Sequence, residues 1–166
     1  MALRCSILLL LSLFAGCNQT DPQILAAREQ FLVSTVPDGE RPIPDVQKDL
    51  KEGKLQETDV FTVRAHIDAG DFAPFGDGQA AFMVTDAAGH DGKKAHNPHD
   101  CPFCKRDINS VMARVEFKGA DGNTLKIDAR QLFDLKEKDL VVVEGTGRFN
   151  EENALIISAS KIFVKR

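Results

Sequence analysis

The chain has 166 residues, of which 43% are hydrophobic and 28% are charged, and its formal net charge is −4. This length suits one globular domain with some additional chain, and the composition excludes disordered and fibrous proteins. The chain is acidic and has 11 Phe but no Trp or Tyr. It therefore lacks the basic surface and the amphipathic stacking residues typical of nucleic-acid-binding proteins, which argues against a nucleic-acid partner.

The first sixteen residues have the pattern of a secretory signal peptide. Arg4 precedes an apolar run, Ile7–Phe14, that is too short to span a bilayer. The stretch Leu13–Cys17 resembles a bacterial lipobox, although it has Phe where Leu is commoner, three positions before the cysteine. The resemblance implies a lipoprotein signal peptide over residues 1–16 and a lipid on Cys17, the first residue of the mature protein. A plain secretory signal is the alternative.

This processing defines the compartment and the remaining thiols. Cys5 leaves with the signal peptide and Cys17 carries the lipid, so Cys101 and Cys104 are the remaining cysteines. Loss of Arg4 leaves 20 basic residues against 25 acidic ones, a net charge of −5. We therefore expect a cell-envelope protein, anchored to a membrane by its lipid on the periplasmic or extracellular side, where disulfides are permitted.

In chain order, residues 17–42 are polar and contain several Pro, which predicts a tether with one packed piece, a short helix around Ile24–Leu32. A helix is predicted over Pro44–Glu52, because apolar residues recur there at helical spacing. From Val60 onward the apolar period becomes two, which predicts half-buried strands. These strands cover Val60–Asp68, Ala80–Thr85, Ala113–Phe117, Thr124–Ala129, Leu140–Phe149 and Ala154–Val164.

Three local signals refine this pattern. Asp128 is a candidate cap for a short helix over Arg130–Leu135. Gly145 and Gly147 fall on the inward face of their strand, which favours a sharp bend or a close approach of another backbone. The alternation of the last strand is disturbed near Ser160, which indicates a β-bulge.

Five or six strands, a leading helix and a short helix before the last two strands predict a mainly β protein built as a small closed barrel. This order resembles the OB-fold, and over Ile43–Arg166 it is similar to the secreted bacterial OB-fold family of envelope proteins. A polar insertion at about residues 87–110 departs from that family and resembles uncharacterised bacterial lipoproteins with a Cys-rich insertion at that point. Neither resemblance implies an activity. An immunoglobulin-like sandwich is the structural alternative.

The insertion concentrates metal-binding residue types. Its central pattern is His96-x-x-His99-x-Cys101-x-x-Cys104, and His90 is a candidate extra ligand. Two imidazoles and two thiols are the ligand set that Zn²⁺ prefers, and the soft thiolates also suit copper. We therefore predict a zinc-type site, although four ligands from so short a loop are crowded.

Two alternatives remain open for the cysteines: a structural disulfide between Cys101 and Cys104, or a redox-active dithiol. The sequence Cys-Pro-Phe-Cys is similar to thioredoxin-type sites, but a thioredoxin βαβ pattern does not surround it. His66 lies on the outward face of a predicted strand, and a solvated side chain is the better interpretation for it than a metal ligand.

The sequence contains no recognisable Ser/His/Asp order, phosphate-binding Gly loop or paired carboxylates. We therefore expect a non-enzymatic cell-envelope lipoprotein, an OB-like module that binds an unknown protein or small ligand and carries a metal site in its His/Cys loop. The alternative is a metal-handling (copper or zinc) or thiol-redox protein that uses Cys101 and Cys104 directly.

Overall fold

A computed structural model describes residues 21–87, 99–100 and 104–166 of the chain. It contains three α-helices, one 3-10 helix and six strands. In chain order the elements are α1 (Pro22–Phe31), β1 (Glu40–Arg41), α2 (Ile43–Lys51), β2 (Phe61–Ile67), β3 (Ala81–Asp86), the 3-10 helix (Cys104–Val111), β4 (Met112–Glu116), α3 (Ala129–Phe133), β5 (Leu140–Phe149) and β6 (Leu155–Lys165).

Five of the strands close into a barrel. The hydrogen-bonded order is β2–β3–β4–β6–β5, and β5 pairs again with β2, which completes the ring. All of these ladders are antiparallel except the one between β4 and β6. With α3 placed before the last two strands, the predicted OB-like barrel is confirmed. The ladder between β2 and β5 rules out two separate sheets, so the immunoglobulin-like alternative is wrong.

The barrel interior is filled by the residues that alternation places inward. Val63, Val143 and Ile162 are fully buried and lie in register across β2, β5 and β6. Phe117 contacts the rings of Phe82 and Phe133 at centroid distances of 6.1 and 4.6 Å. The core is therefore aliphatic and Phe-based, as a composition without Trp or Tyr requires.

The two inward glycines mark where other groups approach β5. A Cβ on Gly145 would lie closer than 3.0 Å to the backbone of Ser158, and one on Gly147 would lie that close to the ring of Phe61. The register between β5 and β6 shifts next to Gly145, where Ser160 is the extra residue and its hydroxyl donates to the carbonyl of Glu144. The predicted bulge near Ser160 is confirmed.

One predicted strand does not form. Thr124 makes an isolated bridge to Lys118, and the segment that follows enters α3 instead of continuing as a strand. The N–H of Leu125 donates to the carbonyl of Phe117, and its carbonyl accepts from the N–H of Ala80. Its backbone groups are therefore satisfied by two different neighbours rather than by one ladder. The prediction for Thr124–Ala129 is wrong for this reason, whereas the cap at Asp128 forms: its carboxylate accepts from the N–H of Arg130 at 2.8 Å.

The predicted helix around Ile24–Leu32 forms as α1, and a short strand in the same segment also contacts the barrel. Helix α1 begins after its N-cap Asp21 and buries Ile24, Ala27 and Phe31 in the barrel core. The short strand β1 pairs in parallel with Thr62 and Val63, which protects an edge of β2 that β3 leaves open. Both α1 and β1 are therefore packed against the barrel.

Helix α2 begins at Ile43, one residue before the predicted start. Its first N–H is hydrogen-bonded to a residue that is distant in the sequence. The carboxylate of Asp86, buried at the end of β3, accepts from the N–H of Ile43 at 2.8 Å.

Among the described residues, no helix has both the length and the apolar character needed to cross a bilayer.

Candidate functional site

The His/Cys insertion leaves the barrel after β3 and returns through the 3-10 helix to β4. His99 is described with its side chain, and Cys104 is the first residue of the 3-10 helix. The other predicted ligands and the predicted lipid attachment site lie outside the described residues: His90, His96, Cys101 and Cys17. Within the described ranges, no three His, Cys, Asp or Glu side chains gather into a group that could hold a metal ion. The ligand set stays a prediction.

The returning end of the insertion is held by helix α2. Gln47 is 3% exposed, and its side-chain amide donates to the carbonyls of Asn109 and Met112 at 2.7 and 3.1 Å. The 3-10 helix itself is interrupted at Asp107, whose backbone is not helical. Because the helix is short and broken, few of its peptide dipoles align along one axis.

A buried carboxylate lies beside the other described part of the insertion. Asp68 follows β2, and its side chain is only 9% exposed. Its Oδ2 lies 2.6 Å from Nζ of Lys138, and its Oδ1 accepts from the N–H of Gly70 at 2.8 Å. Burial opposes ionisation, yet the hydrogen bonds from Lys138 and Gly70 outweigh it and hold the pKa of Asp68 below its usual value. The group is therefore a fixed negative charge at neutral pH.

His99 packs onto this carboxylate and its neighbours. Its Nε2 lies 3.5 Å from Oγ1 of Thr85 and 4.0 Å from Oδ1 of Asp68, and its side chain is 19% exposed. Thr85 is buried and its hydroxyl also donates to the backbone carbonyl of Asp68 at 3.1 Å. We call the three residues that receive this ring, Asp68, Gly70 and Thr85, the His99 seat.

Gly70 contributes the space in the His99 seat. A Cβ built on Gly70 would lie closer than 3.0 Å to three ring atoms of His99, namely Nδ1, Cε1 and Cγ. Gly70 also has a φ of +65°, which a side chain disfavours. Gly78 has a φ of +64°, but no described atom beyond its chain neighbours lies within 4 Å of the place its Cβ would take. Alanine substitutions at Gly70 and Gly78 would share the strain of a positive φ. Only the substitution at Gly70 would also clash with the ring of His99.

His66 lies nearer to this region than strand alternation alone suggested. It is directly opposite Thr85 in the ladder between β2 and β3, so the two side chains share the outer face of the sheet. Its Nδ1 lies 3.2 Å from the carbonyl oxygen of Lys138. His66 is therefore a neighbour of the His99 seat that bonds to the barrel backbone.

A second concave region, of about 700 Å³, lies between the end of α1, α3 and β6. Two arginines at this groove bond to the end of α3. Arg28 donates to the carbonyls of Leu132 and Gln131 at 2.6 and 3.1 Å, and Arg166 donates to the carbonyl of Phe133 at 3.2 Å. These bonds satisfy the carbonyls at the C-terminus of a short helix, so the arginines have a structural role here.

The residues of the His99 seat carry no distinctive local signal in the sequence. Asp68 and Gly70 follow a strand and have the ordinary signature of an Asx turn, and Thr85 has that of an outward strand residue. Only the pairing of β2 with β3 brings Asp68 and Thr85 together at the place where His99 packs. Asp68 and Thr85 differ from other outward-facing polar residues in being buried. That difference is visible in the fold and cannot be read from the sequence.

Comparison with known proteins adds nothing to this geometry. No protein-family model matches the chain, and a search of curated proteins finds no significant match. The fold therefore defines the class, a small OB-like barrel with a His/Cys insertion between its second and third barrel strands.

Proposed function

We propose that this protein is a non-enzymatic, lipid-anchored binding module of the cell envelope, in which a zinc-type ion orders the His/Cys loop of an OB-like barrel. The observation that carries the proposal is the contact of His99 with Thr85 and Asp68 on the outer face of the sheet. One predicted ligand is thereby joined to the rigid part of the molecule. A ligand held in advance lowers the entropy that metal binding must overcome.

The donor set supports zinc as the first choice. Thiolates of Cys101 and Cys104 with imidazoles of His96 and His99 would supply the four ligands of a closed structural site, which keeps no open position for a substrate. His90 would replace a ligand if four donors from one short loop prove too crowded. Binding then serves to order the loop as a recognition surface for a protein or small ligand, without chemistry of its own.

The position of α1 supports a barrel that lies close to the membrane. If Cys17 carries the lipid, only four residues lie between it and Pro22, where α1 begins, so the two are five Cα–Cα steps apart. A chain spans at most ~3.6 Å per residue, so the start of α1 would lie within about 18 Å of the anchored residue. The barrel would then lie near the membrane surface, on the periplasmic or extracellular side.

The proposal is tested on full-length protein extracted from membranes with detergent under reducing conditions. We expect about one zinc per chain by elemental analysis, and two thiols that react with a thiol reagent only after chelation. Cys104→Ser and His99→Gln should each lower the bound zinc, whereas the matched control His66→Gln should retain it. Cys17→Ser should move the protein out of the membrane fraction.

Three results would contradict parts of this proposal. A native disulfide between Cys101 and Cys104 without metal would replace the zinc site by a structural clip. Tightly bound but exchangeable copper, or thiols that cycle with a redox partner, would favour the metal-handling or thiol-redox alternative. A Cys17→Ser variant that stays in the membrane, together with a wild-type N-terminus free of lipid, would remove the anchor.

A further inference from the structure

We infer that the groove between α1, α3 and β6 docks on a membrane surface, where Arg28 binds the phosphate group of an anionic phospholipid. We call this region of about 700 Å³ the arginine groove, because Arg28, Arg130 and Arg166 line it. The inference is independent of the metal site and of the lipid on Cys17, since all the residues that carry it are described in the structure.

Arg28 provides the positive charge of the arginine groove. Its Nε and Nη2 donate to the carbonyls of Leu132 and Gln131 in α3. A guanidinium has five N–H donors, so both donors of Nη1 and the second donor of Nη2 remain. Among the described residues, none accepts from these donors, and Arg28 has no acidic partner. Arg28 is also partly buried, so a bound anion would supply the opposite charge that this cation lacks.

The other two arginines of the groove already have acidic partners. Arg166 lies 3.1 Å from the carboxylate of Asp134, and Arg130 forms an ion pair with Asp128. The groove therefore suits one anionic group at Arg28. Two N–H groups of one guanidinium match two oxygens of a phosphate, and the bonds to α3 hold this guanidinium in place before the anion arrives.

Apolar side chains beside Arg28 favour a membrane over a soluble anion. Leu25 and Leu32 are seven residues apart and so lie on one side of α1, with Arg28 between them, and they are 47% and 38% exposed. Phe163 and Val164 continue the apolar surface inside the groove. A soluble phosphate would use only the cation, whereas a phospholipid offers a phosphate to Arg28 and acyl chains to the leucines.

The test uses a fluorescent reporter in the groove. Because the chain contains no Trp, Leu32→Trp introduces a single tryptophan. The full-length variant is mixed with vesicles whose acyl chains carry bromine, a quencher of tryptophan fluorescence. We expect quenching in vesicles that contain phosphatidylglycerol and little quenching in phosphatidylcholine alone. The matched reporter Val60→Trp, at a residue that is 61% exposed and does not line the groove, should stay bright in both.

Substitutions in the Leu32→Trp protein test the role of charge. Arg28→Gln should lower the ratio of docked to undocked protein about fivefold, whereas Arg148→Gln, an exposed arginine outside the groove, should leave it unchanged. Ser34→Glu adds a negative charge to the groove without removing a bond to α3, so it tests the inference even if Arg28→Gln perturbs the fold. It should lower the ratio more than Thr35→Glu, which adds the same charge at a neighbour that does not line the groove.

Three results would overturn the inference. The first is equal quenching of the Leu32→Trp and Val60→Trp reporters, or of Leu32→Trp in the two kinds of vesicle. The second is quenching that neither Arg28→Gln nor Ser34→Glu reduces. The third is release of the protein by inorganic phosphate at constant ionic strength, which would reveal a site for a soluble anion. A native N-terminus without lipid would contradict the anchor of the proposed function and would leave these vesicle measurements unchanged, so the two failures are distinguishable.

Discussion

Replacing Val143 by Asp tests which face of β5 points into the barrel. Val143 is 0% exposed and lies opposite Val63 on one side and Ile162 on the other, both also fully buried. The change loses the burial of a Val side chain, about 1.5–3 kcal/mol. It also places a polar group without a partner in an apolar core, which costs about 1–3 kcal/mol more even when the carboxyl is protonated.

The sum, roughly 2.5–6 kcal/mol, is a large part of the stability of many domains, about 5–15 kcal/mol. The matched control is Thr146→Asp on the same strand, since Thr146 is only partly buried and faces outward opposite Ser158. A strand-propensity cost of at most about 1 kcal/mol is expected there. Thermal unfolding followed by circular dichroism should therefore show a melting temperature about 10–20 °C lower for Val143→Asp and nearly unchanged for Thr146→Asp.

The pH dependence of the melting temperature tests whether a buried carboxyl causes the loss of stability in Val143→Asp. Burial raises the pKa of a carboxyl introduced at Val143 above its unfolded value of ~3.9, so the folded state retains a proton that the unfolded state loses. Stability is therefore lost as pH rises through this range, and the gap between Val143→Asp and Val143→Asn should widen from acid to neutral pH. Similar melting temperatures for Val143→Asp and Thr146→Asp would refute the inward and outward assignment of β5.

Two further predictions concern close packing and charge. Gly147→Ala should destabilise the barrel by about 1–3 kcal/mol in urea unfolding, because its methyl group would meet the ring of Phe61. The control Gly76→Ala should cost less, because a Cβ there makes only ordinary contacts. Equal costs for the two variants would contradict this packing. The hydrogen bond from Arg130 holds the pKa of Asp128 below its usual value, so its stabilisation is present above the unfolded pKa and is lost as pH falls through the folded one. Asp128→Asn should therefore lower the melting temperature at neutral pH but not in strong acid, and a difference independent of pH would exclude the ion pair as its cause.

Local patterns in the sequence were sufficient for most elements of the barrel. The alternation in β2 and β5, the helical spacing in α2 and the cap at Asp128 each depend on neighbouring residues, whose periodicity reflects one buried face. The bulge at Ser160 was also detectable, because an extra residue interrupts the alternation of a single strand. The same local information placed the candidate metal ligands in one short loop.

Features that depend on two distant segments were decided only by the tertiary structure. Thr124–Ala129 alternates like a strand, but its backbone bonds to two different neighbours, so no ladder forms. The sequence predicted the helix α1, but only the fold shows where it packs, with the ring of Phe31 against that of Phe117 at a centroid distance of 5.2 Å.

The His99 seat also depends on segments that are distant in the sequence. Asp68 and Thr85 are polar residues at positions that alternation assigns to solvent, and they are buried where β2 pairs with β3 and His99 packs against both side chains. Sequence periodicity reports which face of one element is buried, whereas the contacts of a polar side chain are set by the chain that folds over it. The sequence alone therefore determined the barrel and the candidate ligands, and the tertiary structure alone decided which barrel residues hold His99.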